Sequence, residues 1–502
     1  MRTATPGAIA GGQVPDVTSQ RLYQKVVAQV ERQIAGGLYR AGDRLLSVRQ
    51  ASQSLGVSVT TIYHAYNVLE SRGLIRAKPQ SGYVVVGKNA GNGAADRSST
   101  QSGASPRMDL EGVARQVLGI VADGHGAPFG TVYPDARLFP ITRLLALMRE
   151  VSRHPERRHG KMQDVAGTMD LRREIARRYA VHGCPMALDE ITVTAGTMDA
   201  VNLALSTIAR PGDAIAVEDT SFFPMSFSLQ RFGLRPVPVP ITVESGLDLA
   251  ALDRVLASGE VKACLMMTNC HNPLGETMSS EKKRELVRII EKYQTPLIEN
   301  DAYGELISPR EGSASIKSFD TSGLVLHCSG FSNFLSPELR VGWITAGRFR
   351  DRLLSVKFLS NMASQWIAQE TVAEFLKQGN FDRHLRSLRS TLQERMAVGV
   401  TELTRWHHLF VRRSQPRSGF MIWLELAAGT DSLRIYEASA RKGLSFVPGA
   451  LFSVDRLRAN EIALNFSFAW SDNSIRSLHA LMSVQRRLTN FKYPGSSPQS
   501  CA

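Results

Sequence analysis

Cysteine is scarce in this chain of 502 residues: there are five, Cys184, Cys264, Cys270, Cys328 and Cys501, and no two are spaced as CxxC. That scarcity argues against a zinc site and a disulfide framework, and it fits a reducing cytoplasm. Long apolar runs are missing as well. No stretch approaches the ~20 residues that a membrane-spanning helix needs, so no membrane partner is expected. The opening MRTATPGAIAGGQVPD holds no apolar core of secretory-signal length, and residues 1–17 read as a disordered arm. No repeat of 20–50 residues is visible. Acidic residues are also under-represented in one place. Residues 1–107 hold 13 Lys/Arg against 5 Asp/Glu, whereas the remaining 395 hold 47 against 41. Positive charge gathered in the first fifth of a chain is what a segment sitting on phosphates needs.

Within that basic segment, residues 18–87 read as one unit. Leu22, Val26, Val30 and Ile34 recur about one helical turn apart, and Gly36-Gly37 ends the pattern. Ser47 with Gln50 three residues on forms a capping box, and Gly56 stops the helix it starts. Ser58 then caps a third helix over 59–73. LIRAK (74–78) and YVVV (83–86), joined by PQSG, read as two short strands around a tight turn. Helix, helix, short turn, helix and hairpin is the winged helix-turn-helix order.

In that arrangement the third helix enters the major groove by its N-terminal residues, so double-stranded DNA is the expected partner. The candidate contacts there are Ser58, Val59, Thr60, Thr61, Tyr63 and His64. Arg49 on the preceding helix can clamp the backbone, Gly82 in the wing permits close approach to phosphate, and Arg76 and Lys78 add charge. Residues 21–86, with the stretch LYQKVVAQVERQIAGGLYRAGDRLLSVRQASQSLGVSVTTIYHAYNVLESRGLIRAKPQSGYVV at 22–85, resemble the GntR-type winged-helix family. The resemblance carries DNA contacts to Arg49, Thr60, Thr61 and Gly82. Two departures stand out: Leu46 replaces the usual Pro, and Val59 replaces an Arg that is common there, where an apolar side chain can meet a thymine methyl.

Residues 88–107 are rich in Gly, Ser, Ala and Asn without hydrophobic period and read as a flexible tether. From 108 to 490 helical patterns alternate with short apolar runs, AIAV (214–217), ACLMM (263–267), PLIEN (296–300) and GLVLHCSG (323–330). Apolar strands spaced by helices indicate a mainly parallel sheet covered on both sides. Residues 491–502 read as a frayed tail.

This region resembles the fold-type-I, aspartate-aminotransferase-like domains. With the N-terminal module the chain resembles the MocR subgroup of GntR regulators over nearly its whole length. The stretches that carry the likeness include AGTMDLRREIARRY (166–179), ITVTAGTMDAVNLAL (191–205), TNCHNPLGETMS (268–279), PLIENDAYGEL (296–306), GFSNFLSPELRVGW (330–343) and EIALNFSFA (461–469), in the family order. The implied fold is α/β: a winged helix-turn-helix, a large fold-type-I transferase-like domain with a mainly parallel sheet, and a smaller C-terminal α+β subdomain.

Pyridoxal phosphate chemistry makes three demands: a Lys amine to condense with the cofactor aldehyde, an acid to keep the ring nitrogen protonated, and an Arg for the substrate carboxylate. By the resemblance, all three positions have changed. Asn333 stands where the Lys belongs, Asn300 where the Asp belongs three residues before Tyr303, and Ala463 where the Arg belongs. The Ser that holds phosphate three residues before the Lys is Gly330. Asp301, next to Asn300, stays open as a substitute acid, and Lys317 as a substitute amine. The remaining cofactor positions persist: Gly196 and Thr197 at a helix start, Phe222 to stack on the ring, Asn272 and Tyr303 for its phenolic oxygen, Arg340 for phosphate, and Ser332 beside the Lys position.

The resemblance therefore implies a homodimeric, DNA-binding, cytoplasmic transcription regulator with no catalytic residues and no metal. Its large domain would take a small-molecule effector, with pyridoxal phosphate at most a non-covalent guest. The alternatives are an active aminotransferase-type enzyme and a regulator whose large domain is purely structural.

Overall fold

The computed structural model describes residues 17–78, 82–86, 112–117, 128–154, 164–308, 314–453 and 458–488. The expected arm up to residue 16, the wing turn at 79–81, the tether at 88–107, Cys501 and the tail at 491–502 lie outside the described residues. The chain divides into two compact units, Met1–Ser105 and Pro106–Ala502.

The first unit runs α1 (Val17–Ala35), α2 (Val48–Leu55), α3 (Val59–Ser71), β1 (Ile75–Lys78) and β2 (Gly82–Val85), the two strands pairing antiparallel. Each helix start has its sequence cause. Ser47 Oγ accepts from Gln50 N at 3.3 Å while Gln50 Oε1 accepts from Ser47 N at 3.1 Å, and Gly56 takes a left-handed φ of 64°. Ser58 Oγ accepts from Thr61 N at 3.1 Å. Ile62, Ala65 and Leu69 share one face of α3 and are fully buried against Val26, Val30, Ala51, Ile75 and Val85. That burial pins α3 and turns its other face outward. The α1 pattern is less regular than its spacing suggests: Val26 and Val30 are core, but Leu22 is 40% exposed, and the helix starts at Val17.

The second unit is built on a seven-stranded sheet. Its strands are β3 (Ile191–Thr194), β4 (Ala214–Glu218), β5 (Arg235–Val239), β6 (Val261–Met266), β7 (Leu297–Asn300), β8 (Val325–Gly330) and β9 (Gly342–Thr345), in the spatial order β3-β9-β8-β7-β6-β4-β5. Five of them pair parallel, and β9 runs antiparallel to both neighbours. The reason is local: only residues 331–341 join β8 to β9, too few for the helical crossover that a parallel partner requires. Successive side chains serve opposite layers. Ile215, Leu265, Ile298 and Leu326 join one core, while Ala216, Cys264, Leu297 and Val325 join the other. The first core includes residues of α4 (Thr197–Ile208), which packs on β7, β8 and β9. A four-stranded antiparallel sheet, β10 (Phe410–Arg413), β11 (Met421–Leu426), β12 (Val447–Pro448) and β13 (Glu461–Asn465), forms the smaller C-terminal part, in the order β10-β11-β13-β12.

Candidate ligand pocket and nucleic-acid interface

The parallel strands deliver polar residues at their carboxyl ends, the place where open α/β sheets hold ligands. Strand β4 ends in Glu218 and leads to Thr220, Ser221 and Phe222. Strand β6 leads to His271 and Asn272, β7 to Asn300 and Tyr303, and β8 to Ser332 and Asn333. The short β8–β9 return then brings in Arg340.

One end of this group suits an anion. Gly196, whose φ is 96°, is the cap residue of helix α4, and no side-chain bond caps the first N–H groups. The guanidinium of Arg340 stands so close that a Cβ at Gly196 would lie 2.7 Å from Nη2. Arg340 also donates to Ser332 Oγ at 3.3 Å and to Ala195 O at 3.1 Å. Its own φ is 49°, a left-handed geometry that strains a non-glycine residue. Beneath it, Gly330 pairs with Gly342, and a Cβ at Gly330 would stand 2.7 Å from Thr197 Oγ1. The Thr197 hydroxyl fills the space that a serine at 330 would need.

The other end gathers the side chains that the resemblance assigns to a ring. Asn272 Nδ2 donates to Tyr303 OH at 2.8 Å, and burial pushes the Tyr303 phenol above its ordinary pKa. A cavity of about 10 Å³, room for roughly one water, lies among Cys270, His271, Asn272, Tyr303 and Phe420. Asn300 Nδ2 faces Met225 Sδ at 3.2 Å, so the first turn of α5 (Phe223–Arg231) covers it. Phe222 caps that helix and is half-buried against Phe223. Asn333 Nδ2 donates to Ala302 O at 3.2 Å. Among the described residues, the buried Oδ1 atoms of Asn272, Asn300 and Asn333 have no partner. Unpartnered buried acceptors are uncommon in proteins, and a water, an ion or a ligand can complete their bonding.

Two residues that the sequence left open lie elsewhere. The Asp301 carboxylate binds His327 Nε2 at 3.0 Å and Asn269 Nδ2 at 3.2 Å, on the side of the sheet away from Asn300, as strand alternation demands. Lys317 Nζ is held by Asp320 at 2.8 Å and by Val325 O at 3.1 Å, at the start of β8, whereas Asn333 follows its end. Lys283 Nζ binds Asn269 and Ala314 O, and Lys357 Nζ binds Asn361. Among the described residues, no lysine amine is hydrogen-bonded to Asn272, Asn300, Tyr303, Asn333 or Arg340. Ala463 is fully buried within the small-domain sheet, paired with Trp423 and Val447.

The sequence reading missed a buried polar cluster beside the pocket. Burial pushes the Glu218 carboxyl up to about 8 and the His271 imidazole down to about 3, so both are neutral near pH 7. Among the described residues, Glu218 Oε2, Thr220 Oγ1 and Ser221 Oγ have no hydrogen-bond partner. Met225 and the Ala302 carbonyl were missed too, since one contact is non-local and the other is backbone.

On the first unit, Ser58, Val59, Thr60, Tyr63 and His64 are exposed along the outer start of α3, and Arg49 is exposed on α2. Thr61 is turned inward at 9% exposure, its hydroxyl 2.8 Å from Ser58 Oγ. It braces the helix start and is the least available of the set. The His64 ring packs edge-on to Tyr23 at 4.4 Å. Gly82 opens β2 with a φ of 81°, beside exposed Arg76 and Lys78.

Comparison with known proteins decides the family. Residues 22–85 match the model of bacterial regulatory proteins of the gntR family, and residues 132–461 match that of aminotransferase class I and II. The uncharacterized HTH-type transcriptional regulator YdcR of Escherichia coli is 34% identical over 467 residues, covering 93% of this chain and 99% of YdcR. The chain is a GntR-type transcriptional regulator with an aminotransferase class I and II domain. This pairing of domains is that of the MocR subgroup. A second relative of this regulator, HTH-type transcriptional regulator YjiR of Escherichia coli, is 29% identical over 90% of the chain and 96% of YjiR. For the large unit of the regulator, a multiple substrate aminotransferase from Thermococcus profundus superposes with a TM-score of 0.67 at 23% identity, covering 74% of this chain and 95% of that one. A Pyrococcus horikoshii kynurenine aminotransferase gives 0.69 at 22% identity, covering 76% and 95%. At that identity the likeness establishes the fold. Among the described residues no helix is long and apolar enough to cross a membrane.

Proposed function

We propose that this regulator binds DNA through α3 and the wing, works in the cytoplasm as a homodimer, and uses its aminotransferase-like body to sense a phosphorylated ring ligand that it holds without a covalent bond. The supporting observation is the pairing of an anion end that keeps its arginine and its helix start, though not the serine at 330, with a ring end that lacks an amine. Gly196, Thr197, Ser332 and Arg340 can hold a phosphate, and Asn272 and Tyr303 can face a phenolic oxygen, with Phe222 following the adjacent strand β4. Pyridoxal phosphate, when bound, supplies an electron-withdrawing ring. Here its tether position is Asn333, its ring-nitrogen partner is the uncharged Asn300, and the substrate-carboxylate position is Ala463. Such a pocket binds and orients but has no group to move a proton at the reacting carbon. Dimerisation is supported by Phe358, Leu359, Met362 and Ile367, large apolar side chains exposed at 40–83% within one short segment.

The ligand acts by binding one conformational state of the regulator better than another. Fluorescence anisotropy on duplex DNA, with and without pyridoxal 5′-phosphate, tests this. The proposal expects a changed DNA affinity and, from the same ligand, a raised melting temperature of the large unit. A melting temperature and an affinity both indifferent to the ligand would leave the large unit purely structural.

A further inference from the structure

We infer that the ring pocket takes the amine form of the cofactor, pyridoxamine 5′-phosphate, in preference to the aldehyde form, because Asn333 presents a buried, unpaired acceptor where a lysine amine would otherwise stand. This rests on the ring-pocket reading above. The orientation of the Asn333 amide is not arbitrary. Its Nδ2 donates to the Ala302 carbonyl at 3.2 Å, and a carbonyl oxygen can only accept. Turning the amide over would set two oxygens against each other, so Oδ1 is the atom left over, and it is buried with no partner among the described residues. An asparagine side chain ends about two bonds short of a lysine amine, roughly the space of one hydrogen bond. A 4′-ammonium group in that space brings three donors and meets the acceptor. An aldehyde brings only another acceptor and leaves Oδ1 unsatisfied beside a second oxygen.

Asn300 repeats the logic at the far side. Its Nδ2 faces the Met225 thioether, which also only accepts, and its Oδ1 is unpaired. Both fixed amides therefore present oxygen and ask the ligand for N–H donors. Asn272 does not share the argument, because the Tyr303 hydroxyl can donate as well as accept.

Isothermal titration of the full-length protein tests the inference with three probes: pyridoxamine 5′-phosphate, pyridoxal 5′-phosphate and pyridoxine 5′-phosphate, whose 4′-hydroxyl can both donate and accept. The expected order is amine, then alcohol, then aldehyde, with amine over aldehyde by about tenfold or more, ~1.4 kcal/mol or more. Asn333→Ala and Asn333→Leu remove the acceptor and should bring the amine and aldehyde affinities together. Circular dichroism establishes that each variant is folded, and if neither folds the wild-type ratio decides. Equal affinities, a tighter aldehyde, or an amine preference that survives in Asn333→Ala would overturn the inference while leaving the ring pocket standing. Binding of none of the three would overturn the ring pocket itself, and the inference with it.

Discussion

Glu218 ends strand β4 at 1% exposure, with one oxygen accepting from Met267 N at 2.7 Å and the other unpaired. The nearby His271 Nε2, 4.0 Å away, offers no charge, because burial holds that imidazole neutral down to about 3. The Glu218 carboxyl therefore keeps its proton up to about 8, against an ordinary value of 4.5. The folded protein then binds one more proton than the unfolded chain between those two values, and stability falls as pH rises across that window. Below 4.5 both states are protonated and the penalty vanishes. His271 works in the opposite sense, adding stability as pH rises from about 3 to 6.5. Above 6.5 it is neutral in both states, which isolates Glu218. From there to about 8 spans about 1.5 units at ~1.4 kcal/mol each, so about 2 kcal/mol. Glu218→Gln keeps the oxygen that Met267 N needs and removes the titration. At ~2.1 cal/mol/K per residue over a unit of roughly 400 residues, the variant should melt about 2–3 °C higher relative to wild type at pH 8 than at pH 6.5. Thermal melts of both proteins across that range, followed on the large-unit transition, provide the comparison. Parallel curves, with no growing gap, would show that Glu218 is ionised in the folded state and would refute the reasoning.

Arg49 is exposed and enters none of the ion pairs among the described residues, so its charge is available for phosphate. Arg49→Ala should weaken binding to all duplex sequences and reduce the slope of log affinity against log salt by about one; an unchanged slope would remove the phosphate contact. Ser58→Ala takes away the α3 cap and should cost the small unit about 1 kcal/mol in denaturant unfolding, whereas no loss would mean that the Ser58–Thr61 bonds carry no weight. Gly330→Ser restores a residue common at that position in the family, yet its Cβ would press on Thr197 and on Gly342 Cα at 3.2 Å. It should lower stability by about 1–3 kcal/mol and weaken inorganic phosphate binding, and a neutral outcome by calorimetry would contradict the packing described.

The elements legible in the sequence were those fixed by local chemistry. The Ser47–Gln50 capping box, the Gly56 stop, the Ser58 cap and the wing strands each follow from residues within a few positions of one another. The central strands were legible because they are apolar on both faces. What depends on distant partners was not. Strand β9 looks like any short apolar run, and its antiparallel course follows from the brevity of residues 331–341 rather than from its own composition. Thr61 reads as one of five polar candidates at a helix start, with Ser58, Thr60, Tyr63 and His64, and only the packing of α3 turns it inward. At the pocket, the residue types at 196, 197, 272, 300, 303, 332, 333 and 340 were readable. The facing of Asp301, however, needed the strand register, and the fixed amides of Asn300 and Asn333 needed Met225 and the Ala302 carbonyl. The neutral Glu218–His271 pair left no signal, because burial rather than spacing makes it.

The most direct test of the account treats the purified regulator with pyridoxal 5′-phosphate, reduces it with borohydride, and maps any added mass by peptide mass spectrometry. The account predicts a ligand that dialyses away and leaves no adduct on any lysine near Asn333, Asn300 or Tyr303. A stoichiometric phosphopyridoxyl group fixed to one lysine of the pocket would contradict it.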